Sequence, residues 1–472
     1  MKWMLFGPEL SCLLAALWFL IQSILAGPNP RRAHRSALAL AALGAGVCLA
    51  AVKSEGLLFS NGYRLDLFSQ VFKVLLSLGL LLIVCICGKL GGIKERNHDD
   101  FYFLLFVCTL ALMMLVSGDH LLIITLALEL SSYSLYILVA LRTDKDAGLE
   151  AGIKYFLVGI FASAVMLFGL ALLYSATQAT YLSEFVQVLP GTMDRPEILI
   201  GLLLTMSGFF FKLGVFPFHF WVADVYQGAA NQVSAYIATA SKVAAIAILL
   251  RVVAASGSGS VYLVQVLVVL SVISMTLGNL AAITQGDLKR LLGYSTIAHA
   301  GYVLIGILSM SRAGYAGAVF YAVALLVMKF SAFLVLVQVA DDGRNLRIEQ
   351  LAGLHRRSPL LALGLMVALF SLAGIPPTIG FTGKFLVFVA AMEKGYFTLV
   401  LIGMINVVIS LYYYLLVIKA AYLLEPQAEL PELRVPAAVK LLSGVLIGVT
   451  LVAGIFPRYL LELADSAARV LL

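Results

Sequence analysis

Ser207-Gly-Phe-Phe-Phe-Lys-Leu-Gly-Val-Phe-Pro-Phe-His219 sets a lysine, Lys212, inside a run of phenylalanine, leucine and glycine. Gly214 and Pro217 follow within five residues. Glycine admits left-handed backbone and proline removes a helical donor, so a helix passing through this stretch is predicted to break. A lysine in hydrocarbon costs roughly 2.5–3.5 kcal/mol on insertion scales and needs a partner, water or a task. Broken backbone at membrane depth is tolerated only where protein or water surrounds it. The stretch therefore reads as an interrupted membrane helix that carries an ionisable group inside a helical bundle.

The pattern recurs. Lys242 lies in Ala238-Thr-Ala-Ser-Lys242, about half way along its apolar run. Lys384 closes Gly374-Ile-Pro-Pro-Thr-Ile-Gly-Phe-Thr-Gly-Lys384, where Pro376-Pro377 and two glycines predict a second break. Lys329 is mid-run in Val327-Met-Lys-Phe-Ser331. Several lysines along one membrane protein point to a proton path.

The composition agrees. Of 472 residues, 62% are hydrophobic and 12% charged, a balance that excludes a large soluble domain. Runs of about 20 apolar residues recur from end to end, the length a membrane helix needs. The short alternating segments of a β-barrel are missing. The first run contains Glu9 and lacks a strongly basic start, so it reads as a retained helix rather than a signal peptide. Cys12, Cys48, Cys85, Cys87 and Cys108 all fall in apolar runs, without the spacing of a zinc or iron–sulfur motif. No HExxH, Walker loop or dinucleotide fingerprint is present. The chain is thus expected to hold no cofactor. Its net charge of +7 sits mostly in short loops and does not imply nucleic acid.

The expected fold is all-α and polytopic, with about 14 spans near 5–25, 36–52, 66–88, 101–117, 119–141, 151–174, 197–220, 230–251, 261–284, 293–310, 315–340, 358–392, 396–422 and 437–456. Basic residues favour loops after odd-numbered spans: Arg31, Arg32 and Arg35; Lys89, Lys94 and Arg96; Arg142 and Lys145; Lys289 and Arg290; Arg344, Arg347, Arg356 and Arg357. The other side has mostly single charges, such as Arg195, Arg251, Arg312 and Lys394. The positive-inside rule then puts the odd loops in the cytoplasm, or on the matrix side of an organelle, and both termini outside. The breaks in spans seven and twelve lie an odd number of spans apart, as in inverted repeats. This predicts a three-helix N-terminal region (1–100), repeats at 101–255 (spans 4–8) and 256–425 (spans 9–13), and a C-terminal helix and tail (426–472).

Glu129 lies mid-span in Ala127-Leu-Glu-Leu-Ser-Ser-Tyr133, on a face shared with Ser132 and Tyr133 that is expected to point into the bundle. Two readings stand: a static salt bridge to span seven, or a carboxylate that tunes Lys212. At an assumed separation of about 7 Å and effective ε of about 20, the two would interact by roughly 2.4 kcal/mol. That suffices to bias whether the lysine keeps its proton. His299, in Ile297-Ala-His-Ala-Gly301, is a candidate relay near neutral pH, as are Lys329 and Lys154, although Lys154 also suits snorkelling. His219 and Asp224 are candidates for a channel mouth. Lys73 is expected to pair locally with Asp66, and Lys419 to snorkel.

These motifs carry a resemblance. Phe211-Lys-Leu-Gly-Val-Phe-Pro-Phe-His-Phe-Trp-Val-Ala-Asp-Val-Tyr-Gln-Gly228 resembles the span-seven signature of the antiporter-like subunits of respiratory complex I, the NADH:quinone oxidoreductase. Asp287-Leu-Lys-Arg-Leu-Leu-Gly-Tyr-Ser-Thr-Ile-Ala-His-Ala-Gly-Tyr302 and Leu372-Ala-Gly-Ile-Pro-Pro-Thr-Ile-Gly-Phe-Thr-Gly-Lys-Phe385 resemble two more. The likeness covers roughly residues 65–420, and a lysine rather than glutamate at 384 resembles the subunit N branch. It implies a 14-helix fold of paired inverted repeats, with Glu129 and Lys212 as a modulating pair, Lys242 as central relay and Lys384 as terminal proton site. It also implies a bacterial inner-membrane setting, neighbouring membrane subunits as partners, and quinone, FMN and iron–sulfur clusters held by other subunits. A cation/proton antiporter or an energy-converting hydrogenase subunit are the alternatives. Gln227, Val222-Ala223 and Ala230 depart from the family pattern and point to a differently shaped loop after span seven.

Overall fold

The computed structural model describes residues 5–257, 261–426 and 432–472. The outermost residues of the N-terminal region and parts of the second repeat and C-terminal segment, at 1–4, 258–260 and 427–431, lie outside these. Among the described residues, thirteen helices are long and apolar enough to cross a membrane. One further crossing is split into two halves of 15 residues each.

In chain order, span one is Gly7–Leu25, two Pro30–Ala50, three Leu67–Ile86, four His98–Ser117, five Leu121–Ala140 and six Lys145–Thr177. Span seven runs through Pro196–Thr205 and Ser207–Leu213, breaks, and resumes at Trp221–Gly228. Span eight is Asn231–Ala238 and Ala240–Ala255, nine Val261–Ile283, ten Leu288–Leu308 and eleven Arg312–Val339. Span twelve is Pro359–Ala373 and Ile379–Glu393, thirteen Phe397–Leu423 and fourteen Ala437–Ile455.

Both predicted breaks exist. Span seven nonetheless continues past residue 220 to Gly228, and span six starts at Lys145 rather than 151. A third interruption, at Thr239 in span eight, had no proline or glycine to announce it. Two short strands, Gly56–Leu58 and Tyr63–Leu65, form an antiparallel hairpin between spans two and three. An amphipathic helix, Arg458–Arg469, turns its alanines inward and docks on spans three and eleven. Hydrogen bonds from Arg312 at 2.6 and 2.5 Å fasten it through Asp465 and hold that carboxyl below its usual range.

Loops after odd-numbered spans meet on one face. Thr143 N donates to Gly92 O at 2.6 Å, Gln232 Nε2 to Lys89 O at 2.9 Å, and Asp287 bridges to Arg347. Loops after even-numbered spans meet on the other face, where Tyr63 bridges to Gly118 and His120 to Tyr181. Spans eight, ten and eleven form the centre, almost wholly buried, while spans six, nine, thirteen and fourteen present most of their surface outward.

Two buried ion pairs fasten the N-terminal region, one within it and one to span eight of this core. Lys73 pairs with Glu9 at 2.5 Å, not with Asp66 as expected, and both side chains are 0% exposed. Tyr63 also donates to Glu9. Asp66 instead takes Arg251 at 2.7 Å and Arg64 at 3.2 Å. The local pairing fails because Asp66 caps span three by accepting from Ser69 N, two turns from Lys73. Glu9 arrives from another span. Removing one partner of a buried pair strands the other and costs about 3–5 kcal/mol. Lys73→Met is therefore expected to lower the thermal stability of the purified membrane protein markedly. The double variant Glu9→Gln/Lys73→Met should recover most of that loss in a melting measurement.

Candidate functional site

The two breaks share one architecture. Span seven's first part ends at Leu213, where Gly214 turns left-handed at φ 86°. Gly214 N donates to Phe211 O at 3.2 Å and Val215 N to Phe210 O at 2.9 Å. In span twelve the helix ends at Ala373, Gly374 has φ 86°, and Ile375 N donates to Phe370 O at 3.0 Å. These are Schellman ends, which satisfy some of the terminal carbonyls and leave others free. In each case a lysine takes one or more of the terminal carbonyls. Lys242 Nζ donates to Lys212 O at 2.8 Å. Lys384 Nζ donates to Leu372 O at 2.9 Å and Ala373 O at 3.0 Å. A helix C-terminus carries roughly half a negative charge, so it favours an ammonium. An aromatic face completes each site: Trp221 lies 4.5 Å from Lys242 Nζ and Tyr302 4.6 Å from Lys384 Nζ.

Lys212 reaches the other way, into span five, and donates to Ser131 Oγ at 2.6 Å and Ser132 Oγ at 3.3 Å. Glu129 does not join it. The helix turns about 100° per residue, which sets Ser131 on the opposite flank from Glu129. The carboxylate is half-buried beside outward-facing Tyr133 and accepts from Ser163 of span six. The inward polar stripe is thus Ser131 and Ser132, and a static Glu129–Lys212 salt bridge is excluded.

A second group forms on span ten. Lys329 Nζ donates to Leu292 O at 2.9 Å and Ser295 Oγ at 2.6 Å. Ser295 Oγ meets Tyr414 OH at 2.6 Å, and Tyr414 OH lies 3.4 Å from His299 Nε2. His299 Nδ1 meets Tyr321 OH at 2.6 Å. Lys329, Ser295, Tyr414, His299 and Tyr321 therefore form one hydrogen-bonded run. Tyr414 and Tyr321 were missed in the sequence, since a tyrosine in an apolar run reads as packing.

The remaining candidates sit apart. Lys154 is nearly half exposed, and pairs with Glu150 at 2.8 Å and Asp224 at 2.9 Å rather than with any buried lysine. Asp224 also takes Arg290 at 2.6 Å, and Gln227 Oε1 accepts from the same guanidinium at 3.1 Å. These groups line a polar hollow of about 340 Å³. His219 is inside the break instead of at a mouth, buried between the rings of Phe216 and Phe220. Among the described residues, no cluster of His, Cys, Asp or Glu could hold a metal ion.

One feature separates the buried lysines from Lys73. Among the described residues, Lys212, Lys242, Lys329 and Lys384 have no carboxylate oxygen within 4.0 Å, the lysine ion pairs being those of Lys73, Lys89 and Lys154. Neutral hydroxyls and carbonyls hold them. An ammonium so held is only partly compensated for lost water.

Comparison with known proteins places this arrangement. The family described as NADH:quinone oxidoreductase/Mrp antiporter, TM matches residues 118–410. A protein of Syntrophobacter fumaroxidans named NADH-quinone oxidoreductase subunit N 2 is 69% identical over all 472 residues and the whole of that protein. One from Opitutus terrae with the same name is 39% identical, over 98% of each chain. A chain of respiratory complex I from Thermus thermophilus with bound aureothin superposes with a TM-score of 0.85 at 32% identity, over 97% of this chain and 99% of that one. A chain of the Mrp complex from Dietzia has a TM-score of 0.88 at 21% identity, over 100% and 98%, and shares the fold. With its intact broken helices and buried lysines, the chain belongs to the NADH:quinone oxidoreductase/Mrp antiporter family of membrane subunits, on the branch whose members are named subunit N.

Proposed function

We propose that this chain is the proton-translocating, antiporter-like membrane subunit of an NADH:quinone oxidoreductase. The observation that carries the reading is the row of buried lysines held without carboxylates. Such groups can gain and lose a proton at modest cost, and each change alters the field at its neighbours. Moving one charge against 100 mV takes about 2.3 kcal/mol, within reach of such couplings.

In this reading, Lys212, Lys242 and Lys384 carry the proton, with Lys329 and His299 between them. Lys242 touches the carbonyl of Lys212 itself, which couples the first two. The run from Lys329 to His299 serves the second half. Glu129, on the flank of span five, biases Lys212 from outside the row. Asp224 and Lys154, in the polar hollow, stand on the uptake side. His219 steadies the break.

The fold is read as two inverted five-span repeats, 101–255 and 256–425, supported by the matching helix ends at Gly214 and Gly374. Residues 1–100 and 426–472 flank them. FMN and iron–sulfur clusters belong to partner subunits, which also handle quinone, and the neighbouring membrane subunits are the direct partners. The membrane is a bacterial inner membrane. The odd-loop face, richer in Lys and Arg, looks into the cytoplasm, and both termini face out.

Lys212→Ala in the assembled complex is expected to abolish most proton pumping, with NADH:quinone electron transfer falling in step. Simultaneous measurement of both rates in native membranes checks this, and unchanged rates would leave Lys212 a packing role. Gly374→Ala tests the capped break. An alanine there takes a left-handed backbone, at about 1–2 kcal/mol, and its Cβ would lie 2.9 Å from Lys384 Cδ. Pumping is expected to drop severalfold while the complex still assembles, as read by proton uptake per NADH oxidised.

A further inference from the structure

Lys289 has no place in the row above. Its neighbours in sequence suggest a short basic loop, but it lies in the first turn of span ten and is 0% exposed. Its Nζ donates to Ala229 O at 2.8 Å. Among the described residues it has no carboxylate oxygen within 4.0 Å.

None of the charged groups around it pairs with it directly. Asp287 accepts from Arg290 N at 3.0 Å with one oxygen, as the cap of span ten, and its charge acts on Lys289 only at a distance. Asp224 holds Arg290 and Lys154. Arg142, from the end of span five, donates to Gln227 O at 2.6 Å and reaches Ala229 O at 3.5 Å, so a second cation shares the lysine's acceptor. The first turn of a helix is also its positive end, where an ammonium is disfavoured. A lysine serving only as a structural ion would be held as Lys73 is, by a buried carboxylate. Lys289 is held like the lysines of the row.

Its position continues that row. Residues 289, 292, 295 and 299 recur at three- and four-residue spacing and share one helix face. Leu292 O and Ser295 hold Lys329, and Ser295 leads through Tyr414 to His299. On the other side is the polar hollow lined by Lys154, Asp224, Gln227, Gly228 and Arg290, the last two being chain neighbours of Ala229 and Lys289. We propose that Lys289 is the uptake-side member of the row: its amine accepts a proton from water in this hollow and releases it along span ten to Lys329. Only a proton moves, and Lys289 returns to the amine. The inference rests on the proton-carrying role proposed for the row.

The test uses the whole complex in sealed vesicles and measures protons pumped per NADH oxidised for Lys289→Gln, Lys289→Arg, Lys289→His and Lys384→Gln. Glutamine can still cap Ala229 O but carries no proton, and arginine keeps both cap and charge but does not release its proton. Both are expected to lose pumping by about a hundredfold, the low end of what a positioned proton-transfer group contributes. Histidine should restore part of it. Wild-type pumping by either Lys289→Gln or Lys289→Arg, alongside loss in Lys384→Gln, would reduce Lys289 to a cap and overturn the inference. Wild-type pumping by Lys384→Gln as well would overturn the proton-carrying row itself. If Lys289→Gln does not assemble, the arginine variant decides.

Discussion

A backbone carbonyl at the end of a helix that stops inside a membrane has no water to turn to, and it must find a donor in the protein. Spans seven and twelve each stop in this way, at Gly214 and Gly374. The donors that arrive are lysines, Lys242 from the neighbouring span eight and Lys384 from the second half of span twelve. Each solves two problems together. The carbonyls gain their hydrogen bonds, and the ammonium gains the negative end of a helix dipole in place of a carboxylate. Without the break there is no polar end to hold the lysine. Without the lysine the break leaves carbonyls unsatisfied. The backbone interruptions and the buried charges are therefore one feature seen from two sides.

The same chain contains buried cations held quite differently. Lys73 sits against Glu9, and Arg251 against Asp66. In those pairs a full negative charge fixes the positive one, and each pair joins segments distant in the chain. The first locks span one to span three, and the second fastens the N-terminal region to span eight. The carboxylate-free lysines are suited to change: a hydroxyl or carbonyl can accept from an ammonium, and it does not bind the charge so firmly that the proton cannot leave. The two kinds of buried lysine differ in what lies opposite Nζ, a carboxylate for Lys73 and hydroxyls or carbonyls for Lys212, Lys242, Lys329 and Lys384.

The centre of the molecule concentrates this chemistry. Spans eight, ten and eleven are almost fully enclosed and bring Lys242, His299 and Lys329. The outward spans are built mostly of lipid-compatible side chains. Glu129 is half-buried on the flank of span five next to exposed Tyr133. At the face formed by the odd-numbered loops, Glu150, Asp224, Lys154, Arg290 and Gln227 form a cluster of ion pairs and hydrogen bonds.

Much of this was legible in the chain. Helices of membrane length declare themselves through runs of apolar residues, and the breaks at Gly214 and Pro376-Pro377 through residues that cannot continue a helix. Lysines in such runs are conspicuous because their insertion is costly. Partners were not legible. Glu9 and Lys73 are 64 residues apart, and nothing local ties them. The side of span five that faces inward depends on how the neighbouring helices pack, so Glu129 was assigned to the interior that Ser131 and Ser132 occupy. The break at Thr239 has no signature residue, and Lys289 reads as a loop charge until span seven folds Ala229 over it. Sequence alone determined the membrane class, the helix count and which residues carry charge, because these follow from local hydrophobicity and backbone chemistry. Only the tertiary structure decided which charges are paired and which are held by neutral dipoles, because that depends on groups brought together from distant parts of the chain.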